Sequence, residues 1–89
     1  MSSTVLIVDD DRELCDLLIE FLQLEDFQAS AVHDGREAVN LCRTRSFDAI
    51  VLDIMLPGLQ GLEDMESRCK VLDPDIEAVQ DFIVNNALL

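Results

Sequence analysis

TVLIVDDD, residues 4–11, decides the fold: a short β-branched apolar run stops abruptly at three consecutive carboxylates, Asp9, Asp10 and Asp11. A run of this length that is apolar at every position, rather than alternating, is the pattern of a strand buried on both faces in a parallel sheet. From Arg12 to about Glu25 the apolar residues Leu14, Leu17, Leu18, Phe21, Leu22 and Leu24 recur at spacings of three and four, with Glu13, Asp16, Glu20 and Gln23 between them. This predicts an amphipathic helix, capped by Asp10 or Asp11. Phe27–Val32 (FQASAV) reads as a weaker strand suited to a sheet edge. His33-Asp34-Gly35 turns the chain into a second helix over Arg36–Thr44, with Asp34 as N-cap and Ala38, Val39, Leu41 and Cys42 on its buried face.

The second apolar run, FDAIVL at 47–52, also ends in a carboxylate, Asp53. The order strand, helix, strand, helix, strand predicts an α/β fold with a three-stranded parallel sheet, order 2-1-3, and right-handed crossovers. In such a sheet the functional site lies beyond the carboxyl ends of the strands. Asp9, Asp10 and Asp53 then converge from adjacent strands about 5 Å apart. Three converging carboxylates repel one another, and the repulsion is relieved by a bound hard cation or by protonation of one of them. Mg²⁺ suits a small, open, acidic site, and Asp53, alone at its strand end, is the candidate nucleophile toward a phosphoryl group. The residues also admit a plainer reading, because Asp is common at strand ends and helix starts as a cap.

Two motifs, VLIVDDDRELCDLL at 5–18 and FDAIVLDIMLPGLQG at 47–61, together resemble the receiver domains of two-component response regulators, of the CheY-like fold and most of all the OmpR/CpxR-type branch. The resemblance covers residues 1–62 and implies a partial flavodoxin-like fold ending in one or two helices. It implies Asp53 as phosphoacceptor, Asp10 as direct Mg²⁺ ligand, Asp9 as a mainly water-mediated ligand, and Met55 as donor of a backbone carbonyl to the metal. Pro57 and Gly61 match the family's loop, whereas Gln60 stands where Asp or Asn is usual. A sensor histidine kinase is the implied partner, and the chain is then no enzyme beyond self-phosphorylation on Asp53.

From Glu63 onward the pattern is missing: neither a fourth strand ending in Ser or Thr nor a fifth ending in Lys-Pro is apparent, and the single lysine, Lys70, precedes Val71. Residues 63–89 are therefore read as a separate C-terminal helical segment of a truncated or rearranged domain. Leu62 to about Val71 suits a short helix. Asp73-Pro74-Asp75 suits the start of another, running to about Ala87 and striped by Ile76, Val79, Phe82, Ile83 and Ala87. Without a fourth strand, Ala49–Leu52 is an apolar edge, which predicts a homo-oligomer through strand three or by exchange of the C-terminal helix. Alternatively that helix folds back over its own chain. The competing functional reading is a receiver-derived scaffold that no longer switches and serves as a dimerisation or protein-binding module.

The remaining composition narrows the field. With 89 residues, 49% of them hydrophobic, the chain is one small globular domain. A net charge of −13 with six basic residues argues against nucleic-acid binding through phosphate contacts. No apolar run is long enough for a membrane span and the start lacks a signal-peptide pattern, so a cytoplasmic location is expected. Cys15, Cys42 and Cys69 lack metal or disulfide spacing and are read as inert, partly buried residues. His33, the lone histidine, is given little weight as a functional group.

Overall fold

A computed structural model describes residues 3–53, 55–60 and 69–87. The chain runs β1 (Thr4–Val8), α1 (Arg12–Leu24), β2 (Gln28–Val32), α2 (Gly35–Thr44), β3 (Ala49–Leu52), β4 (Lys70–Leu72) and α3 (Ile76–Ala87). The expected α/β architecture is present, with a parallel sheet ordered β2-β1-β3-β4. The 2-1-3 order holds, but a fourth strand extends it. Lys70, Val71 and Leu72 pair with Ala49, Ile50 and Val51, so the β3 edge expected to be bare is covered within the chain. The tail of the segment read as a short helix, Lys70 and Val71, is thus strand, and residues 62–68 of that segment lie outside the described residues. Three residues are too few to show a period, and Lys70 at the outer edge is the kind of charged residue that guards an unpaired strand.

Alternation along the strands divides the core between two faces. Val5 and Ile7 of β1, Ala49 and Val51 of β3 and Leu72 of β4 pack with Cys15, Leu18 and Leu22 of α1 and Val79, Phe82 and Ile83 of α3. Leu6, Val8, Val32, Ile50 and Leu52 pack on the other side with Ala38, Val39 and Cys42 of α2, and Phe47 and Leu56 close that layer. The C-terminal helix therefore folds back over its own sheet, the alternative to exchange. The buried stripe of α1 runs through Cys15, Leu18 and Leu22, leaving Leu17 50% and Leu24 83% exposed although their spacing puts both on the apolar face. Asp48, polar within an apolar run, ties the starts of β1 and β3 together: its Oδ2 accepts from Thr4 N–H at 2.7 Å and from Thr4 Oγ1 at 3.2 Å.

The caps follow the sequence with one shift. Asp11 accepts from Leu14 N–H at 3.1 Å and Asp34 from Arg36 N–H at 3.0 Å. At α3, Asp75 rather than Asp73 accepts from Glu77 N–H, at 2.9 Å, and the helix begins at Ile76. Proline disfavours helical geometry in the residue before it, which keeps Asp73 out of the helix. Gly35, at the first turn of α2, faces the Pro57-Gly58 turn so closely that an added Cβ would lie 2.5 Å from Pro57 O. Gly35→Ala is expected to destabilise the protein by about 2 kcal/mol, because overpacking against backbone outweighs the ~1 kcal/mol by which Ala favours a helix. A chemical denaturation midpoint unchanged or raised by this substitution would refute the contact.

Candidate acidic cation site

Each strand that ends at the site does so for a local reason. Asp9 follows β1, its N–H donating to Val32 O at 3.3 Å, and Asp53 follows β3, its N–H donating to Val8 O at 3.0 Å. The two carboxylates are thus delivered from neighbouring strands at the same end of the sheet. Asp10 sits one residue farther out and is exposed. One oxygen from each of Asp9, Asp10 and Asp53 lies within 4.8 Å of the others. No lysine or arginine forms an ion pair with any of the three among the described residues.

Asp9 is the buried member, only 5% exposed. Burial raises its pKa above the ordinary value of 3.8, the backbone N–H of Asp11 opposes the rise, and the charges of Asp53 and Asp10 add to it. That N–H donates to Asp9 Oδ1 at 2.9 Å, and Met55 N–H donates to Asp53 Oδ1 at 3.0 Å. The Met55 side chain is 85% exposed and has no part in the cluster. Uncompensated carboxylate oxygens at this spacing match a hard divalent cation, which accepts one or two carboxylates and completes its shell with water or phosphate oxygens.

A stability prediction follows from Asp9. The folded state holds its proton more tightly than the unfolded state, so without a cation this group's contribution to stability rises as pH falls through its raised pKa and is complete below 3.8. Asp9→Asn keeps the Oδ1 acceptor for Asp11 and removes the charge. In urea unfolding without divalent cation, the variant is expected to be the more stable at pH 7, with the difference shrinking toward pH 4. A difference that stays constant with pH would exclude the buried charge of Asp9 as its source.

His33, given little weight from sequence, lies against the site together with Cys15. His33 Nδ1 lies 3.0 Å from Asp9 O, and Cys15 Sγ lies 3.5 Å from the same oxygen and 3.8 Å from His33 Nδ1. Burial, then the charges of Asp9, Asp11 and Asp16, push the Cys15 thiol up to about 11, so it stays protonated, as an inert cysteine should. Cys42 is also buried, and Cys69 is partly buried with its thiol pKa raised by burial. Lys70 opens β4 at the amino end of the strand, away from the carboxylates, with Nζ 6.0 Å from the Phe82 ring centroid. Asp73 follows β4 on the carboxyl side, where the resemblance implies Ser or Thr. A cleft of about 430 Å³ lined by Cys42, Arg43, Thr44, Arg45, Ser46, Phe47 and Cys69 opens at the opposite end of the sheet and contains none of the predicted site residues. Among the described residues, no helix is long and apolar enough to cross a membrane.

Comparison with known proteins bears on this arrangement. The family described as response regulator receiver domain matches residues 5–77. The transcriptional regulatory protein CpxR of Escherichia coli (strain K12) is 41% identical over 63 residues, 71% of this chain and 27% of CpxR, so the match spans about a quarter of that relative's length. Among solved structures, response regulator protein TrrA from Thermotoga maritima in complex with Mg²⁺-BeF has a TM-score of 0.68 at 30% identity, covering 82% of this chain and 68% of TrrA. TrrA in complex with histidine kinase ThkA gives 0.65 at 34% identity, covering 80% and 66%. The Francisella response regulator 1452 receiver domain shares the fold, with a TM-score of 0.68 at 19% identity over 97% of this chain and 99% of that one.

Proposed function

Because this chain belongs to the response regulator receiver domain family of two-component signalling, we propose that it accepts a phosphoryl group on Asp53, with Asp9, Asp10, Asp53 and the Met55 backbone carbonyl holding Mg²⁺. The observation that carries the proposal is the convergence of three carboxylates within 4.8 Å at the carboxyl ends of β1 and β3. A bound Mg²⁺ supplies positive charge that offsets the carboxylates and the incoming phosphoryl oxygens.

The chain's own residues then divide the work. Met55 N–H occupies Oδ1 of Asp53, leaving Oδ2 as the attacking atom. Its lone pair forms the new O–P bond as the bond from phosphorus to the donor breaks, and the donor leaves with that electron pair. Burial of Asp9 holds its carboxylate in place as a mainly water-mediated ligand rather than a competing nucleophile, and exposed Asp10 is the direct ligand. By analogy with TrrA, which forms a complex with histidine kinase ThkA, the physiological donor is a phosphohistidine of a sensor kinase. On this reading the module signals rather than catalyses, is cytoplasmic and acts without nucleic-acid contact. Residues 1–62 carry the acceptor chemistry, and within 63–89 the helix α3 covers part of one sheet face.

The test is intact-mass analysis after incubation with acetyl phosphate and Mg²⁺. A phosphoryl adduct that EDTA prevents is the expected result, and a folded, Mg²⁺-binding protein without an adduct would refute the proposal. That negative result is what a second reading predicts, a receiver-derived scaffold that binds a partner or a second copy without switching. Asp73 favours the second reading, because a carboxylate beyond β4 repels a phosphoryl group that a hydroxyl would bond.

A further inference from the structure

Asp9 is held at both ends of its own residue by the end of β2. Its N–H donates to Val32 O at 3.3 Å, and its carbonyl oxygen lies 3.0 Å from Nδ1 of the next residue, His33. A carbonyl only accepts, so Nδ1 carries the proton, and Asp9 O is the acceptor that fixes this tautomer. The Cys15 thiol reaches the same oxygen at 3.5 Å, a longer contact from a weaker donor. On the other side of Asp9, Asp11 N–H grips the carboxylate at 2.9 Å. The Asp9–Asp10 peptide is therefore clamped, and its rotation is what would move the Asp9 and Asp10 carboxylates apart.

From this geometry we infer that His33 is a positioning residue of the cation site: by bonding the Asp9 carbonyl it fixes the peptide that presents both Asp9 and Asp10. The inference rests on the proposed cation site. Repulsion among Asp9, Asp10 and Asp53 drives the cluster open before a cation arrives, and the His33 bond is the side-chain contact that resists this from β2. Mg²⁺ tolerates little departure from its preferred geometry, so a small rotation of one ligand-bearing peptide weakens binding. Outer partners that orient ligands typically change metal affinity 10- to 100-fold when removed. A carboxylate cluster whose backbone is braced in this way differs from one assembled by chance charge density.

The test is Mg²⁺ titration by isothermal calorimetry and by amide chemical shift, on wild type, His33→Ala, His33→Asn and Cys15→Ala. His33→Ala is expected to weaken Mg²⁺ binding about tenfold. His33→Asn should restore most of it, because the Asn side-chain N–H₂ stands the same number of bonds from the backbone as Nδ1. Cys15→Ala should change affinity by less than about twofold, as fits a weak donor. Without Mg²⁺, Asp10 and Asp11 amides should exchange faster in His33→Ala and at the wild-type rate in His33→Asn, a readout that global stability alone does not reproduce. Should His33→Ala fail to fold, His33→Gln, which carries its donor one bond farther out, takes its place with the same expected loss. Wild-type affinity in His33→Ala, or no recovery in His33→Asn, overturns the inference while the cation site stands. Absence of Mg²⁺ binding by wild type overturns both.

Discussion

Asp53→Asn is expected to abolish the Mg²⁺-dependent phosphoryl adduct completely while leaving the fold intact and the cation-free protein more stable. The fold survives because Asn keeps the Oδ1 that accepts from Met55 N–H, and the Asp53 backbone bond to Val8 O does not involve the side chain. The adduct is lost because an amide nitrogen has no available lone pair for phosphorus and the remaining carboxylates have other duties: Asp9 is buried and hydrogen-bonded, and Asp10 lies one residue out on the turn. Stability rises because the cluster loses one of three charges that have no basic partner among the described residues. About 1 kcal/mol of relief would appear as a Tm increase of about 5 °C in a domain of this size. The same substitution should shrink the stabilisation that Mg²⁺ gives the wild type, since a cation that binds only the folded state stabilises it in proportion to the logarithm of its concentration over Kd. An adduct persisting in Asp53→Asn would move the acceptor to another carboxylate, identifiable by peptide mapping, and would remove the assigned role of Asp53.

The parts of this site that the sequence displayed are those carried by side-chain type at a strand end. TVLIV and AIVL are buried at nearly every position, so each strand announces itself and its end, and the carboxylates that follow are necessarily at the rim. Short connections and right-handed crossovers then leave little choice about which strands are neighbours. β4 escaped because only Leu72 is buried while Val71 is half-buried and Lys70 exposed, so nothing in KVL marks a strand until β3 is there to pair with it. Leu17 and Leu24 show the opposite failure: helical spacing counts them as core, but among the described residues no element covers their side of α1. His33 was illegible for a third reason. Its partner is a backbone carbonyl 24 residues away, and no residue type at any spacing signals an acceptor that every residue possesses.

Replacing Phe82 by alanine is expected to cost about 4 kcal/mol of stability. The ring is 4% exposed, lies with its centroid 5.6 Å from that of Phe27, and belongs to the cluster that joins α3 to α1 and to one face of β1, β3 and β4. A small domain has little reserve against such a loss, since typical stabilities are only about 5–15 kcal/mol. The urea midpoint should fall steeply, and if the variant is only partly folded at 25 °C, ANS binding will report loosened packing before helix content is lost. Ile76→Ala in the same helix, 40% exposed in the structure, should cost well under half as much. Equal effects of the two substitutions would mean that α3 does not dock through its Val79, Phe82 and Ile83 face. The consequence reaches the acidic site, because the cluster that holds α3 includes Val5 and Ile7 of the strand that presents Asp9 and Val51 of the strand that presents Asp53. Loss of the α3 cover should therefore lower Mg²⁺ affinity in the folded fraction of Phe82→Ala while leaving it unchanged in Ile76→Ala, which ties the segment beyond residue 62 to the chemistry of the half before it.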